Sequence, residues 1–265
     1  MLTVNGQNIV QGFFPNNEVD YVERLKMSAF DVDVFELVFE NNADLFNLIV
    51  TKEWWDRNRV FSADRKTILK AHFFPYSQMD RDMAGHMFSL KYIAGIINNL
   101  KFDSVEIFDP HSNVLPALID NVDIVYPVCH YFKKHREYDL LFYPDQGAAK
   151  KYSEVMPYMP YRFGNKRRNL ETGEIIAYDV IASETDIKDK KILIVDDICM
   201  GGRTFKECAS ALRNMGASVV DCYITHLMPQ ARQFYRTKCW GLCDNIYSAD
   251  TLNLINFFNT DEPRP

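Results

Sequence analysis

Two adjacent acids, Asp196 and Asp197, stand shortly before a glycine-bearing run, Gly201-Gly202-Arg203-Thr204, in the string KILIVDDICMGGRTF at Lys191–Phe205. Carboxylates can hold ribose hydroxyls or the water shell of Mg²⁺. The backbone N–H groups of a glycine loop at a helix N-terminus can cradle a phosphate. The elements that must position these groups are legible around them. Ile192–Val195 is a short β-branched run of the kind that forms a parallel strand buried on both faces. Thr204 and Glu207 have the T-x-x-E spacing of a capping box, which predicts a helix starting there, running through Ala209, Leu212 and Met215 and stopping at Gly216. Ligands of open α/β sheets sit at the carboxyl ends of strands, so both acids are expected to face one. A V-D-D triplet alone marks only a wet strand end. No G-x-x-x-x-G-K-[ST] occurs, so any nucleotide is held by other means than a Walker A loop.

The same grammar of strand, acid and helix recurs twice. Ser104–Phe108 reads as a strand followed by Asp109-Pro110-His111-Ser112, and Tyr138–Tyr143 as a strand closed by Pro144-Asp145-Gln146-Gly147-Ala148. Three such units suggest a duplicated α/β domain, although no literal repeat is present. Further strands are expected at Val34–Phe39, Phe46–Thr51, Thr67–Phe74, Val122–Tyr126, Ser218–Leu227 and Gly241–Tyr247. Helices are expected at Trp54–Lys66, Met83–Leu100, Asn113–Asp120 and Leu252–Phe258. His130–Arg136, HYFKKHR, reads as a solvated basic face, and the closing TDEPRP as a disordered end.

With 265 residues, nearly half of them apolar, the chain has material for one large domain or two ordinary ones. A net charge of −6 argues against a broad nucleic-acid surface but leaves room for a nucleotide pocket with local basic residues. The six scattered cysteines suit reduced, buried thiols of a cytoplasmic protein, and Cys239 and Cys243 lack the further ligands of a zinc set. MLTVNGQNIV has neither the basic start nor the apolar core of a signal peptide, and no run of 18 apolar residues predicts a membrane span.

Taken together, six strings in order from Phe14 to Thr204 resemble the ribose-phosphate pyrophosphokinases (PRPP synthetases), relatives of the type I phosphoribosyltransferases. In GFFPNNEV, Phe14, Asn16 and Glu18 match an F-x-N/D-x-E loop, which implies adenine binding for a neighbouring subunit. PYSQMDR is similar to P-Y-A-R-Q-D-R, which grips ATP; Pro75, Tyr76, Asp80 and Arg81 match, while Gln78 and Met79 replace the family's Arg and Gln and remove one positive charge. Asp109 and His111 match D-x-H-S/A, implying that His111 is a ligand of ATP-bound Mg²⁺ with Asp109 its companion. Asp145 matches P-D-x-G-[GA], an acid near ribose and metal. Lys166 and Arg168 match the two cations of a mobile K-R-R loop that closes over ATP, supplying charge and excluding water. Asp196, Asp197, Gly201, Gly202, Arg203 and Thr204 match the acceptor and phosphate site, the two acids and the two cations being the implied catalytic set.

The resemblance implies an α/β fold of two phosphoribosyltransferase-like domains, 1–134 and 135–265, each a mainly parallel sheet flanked by helices. It also implies a cytoplasmic homo-oligomer (in the host cytoplasm for a phage-encoded member) with ATP near a subunit interface and no nucleic-acid or membrane partner. The implied reaction is Mg²⁺-dependent transfer of the diphosphoryl group of ATP to the 1-hydroxyl of a ribosyl 5-phosphate, releasing AMP. One departure bears on the acceptor. The family's D-T-A-G-T loop is here Met200-Gly201-Gly202-Arg203-Thr204, where a smaller wall and an added cation would admit a 5-diphosphate. ADP-ribose, used by short phage-type members in NAD metabolism, is therefore the expected acceptor. Ribose 5-phosphate, a base-transferring enzyme that consumes PRPP, and a non-catalytic homologue remain the alternatives.

Overall fold

The computed structural model describes residues 1–9, 11–16, 18–22, 31–58, 65–82, 85–134, 137–168, 175–228, 231 and 242–249. The chain divides into two compact units, Met1–Val125 and Tyr126–Pro265.

The first unit runs β1 (Leu2–Val4), β2 (Gln7–Asn8), β3 (Gln11–Phe13), β4 (Val19–Val22), β5 (Val32–Val38), α1 (Asn42–Asn58), β6 (Lys66–Phe73), α2 (Ser89–Asn99), β7 (Ser104–Phe108), α3 (Val114–Leu118) and β8 (Val122–Val125). Its main sheet has the order β2-β1-β5-β6-β7-β8, parallel from β5 to β8 and antiparallel at the β1 edge. Strands β3 and β4 form a separate hairpin. The core gathers around Phe35, which meets Trp55 and Phe102 edge to face at centroid distances of 5.8 and 5.3 Å.

The first helix corrects two expectations. Phe46–Thr51 is not a strand, and the helix expected at Trp54–Lys66 starts twelve residues earlier, at Asn42; it is described to Asn58, residues 59–64 lie outside the described residues, and Lys66 begins β6. The β-branched run is outweighed by period: Leu45, Leu48, Lys52 and Trp55 are buried at spacings of three, four and three, the stripe of a helix. Asp44 secures its start, accepting from the N–H groups of Glu40 and Asn41 and pairing with the amino terminus at 2.6 Å. The helix expected from Met83 begins at Ser89; Met83 lies outside the described residues, and Leu90, Ala94 and Ile97 form its buried stripe while Met87 is exposed.

The second unit runs α4 (Pro127–Lys134), β9 (Leu140–Tyr143), α5 (Gln146–Val155), β10 (Tyr161–Arg168), β11 (Ile175–Ile181), α6 (Glu184–Ile187), β12 (Lys191–Cys199), α7 (Arg203–Asn214), β13 (Val219–Leu227) and β14 (Ile246–Ser248). The sheet order is β11-β10-β9-β12-β13-β14, parallel except for the β10–β11 hairpin at one edge. Both sheet faces are covered. Ile192 and Ile194 pack with α7, Leu193 and Val195 with α4 and α5, and all four are fully buried. Each contributes about 2 kcal/mol of apolar burial, which makes β12 the axis of the unit. The segment expected at 252–258 as a helix and the closing TDEPRP lie outside the described residues.

The stretch HYFKKHR is not simply a solvated basic face. Val128 and Tyr131 of α4 are buried, and Tyr131 packs on Tyr223 and Tyr247 at 4.9 Å from each. These contacts assign α4 to the second unit, so the division falls at Val125/Tyr126 instead of 134/135. Behind Tyr131 a polar chain crosses the core: the Tyr131 and Tyr138 hydroxyls are 3.1 Å apart, Tyr138 donates to Asp221 at 2.7 Å, and Asn245 donates to Asp221 through its backbone and side chain. Burial pushes the Asp221 carboxyl above the ordinary aspartate value, although its hydrogen bonds oppose the shift. A raised folded-state value gives stability that is fully present below the unfolded value and is lost as pH rises through the folded one. Asp221→Asn can reverse the hydroxyl chain, its amide donating to Tyr138 and Tyr138 to Tyr131. Urea unfolding is therefore expected to show the wild type losing stability relative to Asp221→Asn as pH rises above the ordinary aspartate range; a constant difference would contradict this.

Candidate active site

In the second unit the acids sit inside a strand, not beyond its end. Strand β12 continues past Val195, with Asp196 paired to Ile224 and Ile198 to His226. Successive strand residues face opposite sides of a sheet, so the two acids do not share a face, which corrects the expectation that both front one ligand. Asp197 is buried and meets Lys151 of α5 at 3.7 Å, with both side chains at least nine-tenths buried. Asp196 is half-exposed on the α7 side and accepts from the Asp197 N–H at 3.0 Å.

Asp145 caps α5, its carboxylate accepting from the Ala148 N–H at 3.0 Å. Tyr178 of β11 ties these groups together. Its hydroxyl donates to the Pro144 carbonyl at 3.1 Å and receives the Cys208 thiol at 2.8 Å. Burial, the Cys208 thiol and the charges of Asp145 and Asp196 drive that hydroxyl far above the ordinary tyrosine value, so it stays protonated and donates. Both acids thus lie beside one phenol. Tyr178 is also the register partner of Lys166, and Gly164 leaves the space its ring occupies: a Cβ there would stand 1.9 Å from the Tyr178 oxygen. Lys166 and Arg168 lie on β10 of the hairpin, with a register shift between Arg167 and Arg168. The side chains of residues 166–168 lie outside the described set.

The loop after β12 is three residues long. Gly202 is the N-cap of α7 with φ 75°, a left-handed conformation suited to glycine, and no side-chain cap bond is formed there. The capping box predicted at Thr204 and Glu207 is therefore absent, since Thr204 lies within the first turn. Such a box occurs instead at Ser183 and Asp186 of α6. Arg203 is exposed, Thr204 half-exposed, and a Cβ at Gly201 would meet nothing within 4 Å. The loop after β12 thus leads into a helix start with no side-chain cap and an exposed arginine, while Asp196 is half-exposed within the strand before it.

In the first unit, the strings after β6 and β7 come together. Asp80 is buried and accepts from Arg81 at 3.0 Å. Burial alone would raise its carboxyl, but hydrogen bonds from Ser112 and Arg81 and the nearby charges of Arg81 and His111 outweigh it and hold it below the ordinary value. His111 is half-buried beside it. Asp109 is buried with φ 47°, its N–H donating to Val125 at 2.8 Å, and Tyr76 has φ 59°, its hydroxyl donating to Asn42 at 2.6 Å. Non-glycine residues in this region carry strain that persists where surroundings demand it. Gln78 and Arg81 are exposed. Phe14, Asn16 and Glu18 form the end of the β3–β4 hairpin, where the Phe14 N–H donates to Glu18 and the Glu18 N–H to Asn16; Phe13 and Phe14 are about half exposed.

Sequence reasoning missed Lys151, Tyr178 and Gly164. Lys151 carried a usable signal, standing six residues past Asp145 on the same helix. Tyr178 carried none, because its position depends on the hairpin register. Among the described residues no three His, Cys, Asp or Glu side chains converge as a metal cage. Mg²⁺ keeps several waters and is usually bound through one or two carboxylates together with substrate phosphates. Asp145 and Asp196 in the second unit, and separately Asp109 and His111 in the first, offer donors of that kind. Among the described residues, no helix is long and apolar enough to cross a membrane.

The fold is that of a phosphoribosyltransferase-like α/β protein. A family model described as the phosphoribosyl transferase domain matches residues 148–254. The crystal structure of a phosphoribosylpyrophosphate synthetase from Mycobacterium smegmatis superposes with a TM-score of 0.74 over 97% of this chain and 84% of that one, at 20% identity. Ribose-phosphate pyrophosphokinases of Cereibacter sphaeroides and Campylobacter jejuni are 30% and 27% identical over 223 and 221 residues, which are 74% and 80% of this chain. The chain is a homologue of the ribose-phosphate pyrophosphokinases. The matched stretch spans 64% of the Cereibacter protein and 69% of the Campylobacter one.

Proposed function

We propose that the protein is an ATP-dependent diphosphotransferase, which moves the diphosphoryl group of ATP to the 1-hydroxyl of a ribosyl 5-phosphate and releases AMP. The observation that carries this reading is that β12, which holds Asp196 half-exposed on the α7 side, runs through a three-residue loop into the Gly202 start of α7. Asp196 orients the ribose hydroxyls, while the N–H groups of α7 and Arg203 hold the 5-phosphate. Asp145 caps α5 and adds negative charge at the ribose side. Asp197, paired with Lys151, holds β12 and α5 in place behind the acceptor. Lys166 and Arg168 come over the phosphates from β10, and closure of the hairpin excludes the water that would otherwise hydrolyse ATP. In the first unit, Asp80, Arg81, Gln78, Tyr76 and His111 bind ATP, and the tip at Phe14, Asn16 and Glu18 receives the adenine of a neighbouring subunit in a cytoplasmic homo-oligomer. Mg²⁺ supplies charge neutralisation of the phosphates when bound. Most of the rate then comes from positioning and charge, as in other phosphoryl transfers.

The acceptor is ADP-ribose. The open space at Gly201 and the exposed Arg203 leave a path for a second phosphate leading outward from the 5-position. A second reading, ribose 5-phosphate, is favoured by the names of the relatives. Competition of the two acceptors for ATP and Mg²⁺, read as AMP formed, distinguishes them. ADP-ribose is expected to have at least a tenfold higher kcat/KM, about 1.4 kcal/mol of discrimination. Preference for ribose 5-phosphate would overturn the reading of the loop and keep the reaction.

A further inference from the structure

Away from the acids, two thiols of the second unit stand in contact. Cys222 lies buried in β13, Cys243 is half-exposed ahead of β14, and their sulfurs are 3.2 Å apart. The approach is fixed by the backbone around them. The Cys222 N–H donates to the Asn245 carbonyl at 3.0 Å, the Val220 N–H donates to Asp244 at 2.8 Å, the Asn245 N–H donates to Asp221 at 2.9 Å, and Arg213 of α7 pairs with Asp244. The residues directly after Cys243 are therefore pinned against β13. Disulfide sulfurs are about 2.05 Å apart, so bond formation needs roughly 1.2 Å of approach shared between two side chains.

We propose that Cys222 and Cys243 form an oxidative modification site, which a low-molecular-weight disulfide such as glutathione disulfide converts to an intramolecular cystine joining β13 to the residues before β14. Cys243, which reaches solvent, attacks one sulfur of glutathione disulfide as its thiolate and releases one glutathione thiolate. Cys222, as thiolate, then attacks the Cys243 sulfur of the mixed disulfide and releases the second. The two thiol protons pass to the two glutathione thiolates, and the two electrons given up by the cysteines reduce one disulfide to two thiols. Burial and the neighbouring Cys243, Cys208 and Asp221 hold the Cys222 thiol well above its ordinary value, which makes the second step the slow one. The cystine closes a loop of about twenty residues, restricting the unfolded chain.

The test is incubation of the full, reduced chain with glutathione disulfide, followed by intact-mass measurement, peptide mapping and thermal unfolding. The expected product is lighter by about 2 Da, yields one linked peptide pair carrying Cys222 and Cys243, and unfolds about 5 °C higher than the reduced chain, reversibly with dithiothreitol. Cys243→Ser, at the half-exposed position, is expected to lose the bond and the shift without disturbing the core. Cys208→Ala, which removes the third sulfur of this cluster, is expected to keep both. Glutathione retained on Cys243 with Cys222 still open to alkylation in the unfolded chain, a bond to any other cysteine, or no reaction would each overturn the proposal.

Discussion

Gly164→Ala is expected to lower kcat/KM for AMP release by about a hundredfold, the scale on which a displacement of roughly 1 Å in a catalytic element acts. The added methyl would fall 1.9 Å from the Tyr178 oxygen and 2.3 Å from the adjoining ring carbon, distances that no side-chain adjustment at residue 164 can relieve. The ring must leave, and its hydrogen bond to Pro144 goes with it. Tyr178 is opposite Lys166 in the hairpin, so its displacement disturbs the strand beside Lys166 and removes the link from β11 to the loop carrying Asp145, while β10 keeps its pairing with β9. Overpacking of this kind also costs about 1–3 kcal/mol of stability. Tyr178→Phe, which keeps the ring and removes only the hydroxyl, is expected to lose less than tenfold. Steady-state kinetics of the two variants, with circular dichroism to confirm folding, check the order. Equal activity of Gly164→Ala and wild type would show that the close approach has no role.

Lys151→Met is the second large effect, and it acts on stability. Lys151 and Asp197 are both nearly buried, and Lys151 also lies over the Tyr152 ring at 4.5 Å. Removing the cation leaves the Asp197 charge in the interior without it, at a cost of about 3–5 kcal/mol. The double variant Lys151→Met, Asp197→Leu removes both charges and is expected to recover much of that loss, because paired burial of two charges contributes little beyond an apolar pair of similar size. Urea unfolding of wild type, the two single variants and the double variant forms the cycle. Additive losses would mean that the two side chains do not interact.

These effects rest on contacts of unequal visibility in the sequence. Strand β7 is found with both ends where its apolar alternation places them, and β13 within a residue, since these strands have no competing period. The run at residues 46–51 misleads because local β-branching and helical spacing coincide there, and burial of Leu45, Leu48 and Trp55 against the sheet decides for the helix. At the site, residue identity was legible but facing was not. Asp196 and Asp197 are neighbours in the chain, yet the continuation of β12 to Cys199 sends one towards α7 and Tyr178 and the other towards Lys151. The union of Asp80 with His111 and Ser112 depends on β6 and β7 lying side by side in parallel, which motif order suggests without fixing.

The most direct measurement follows the phosphorus atoms. With ATP labelled at the β-phosphorus, Mg²⁺ and ADP-ribose or ribose 5-phosphate, label is expected in a diphosphate on C1 of the acceptor, with unlabelled AMP in equal amount and loss of both products in Asp196→Asn. Formation of labelled ADP by transfer of the γ-phosphoryl group alone, or no transfer to either acceptor, would contradict this.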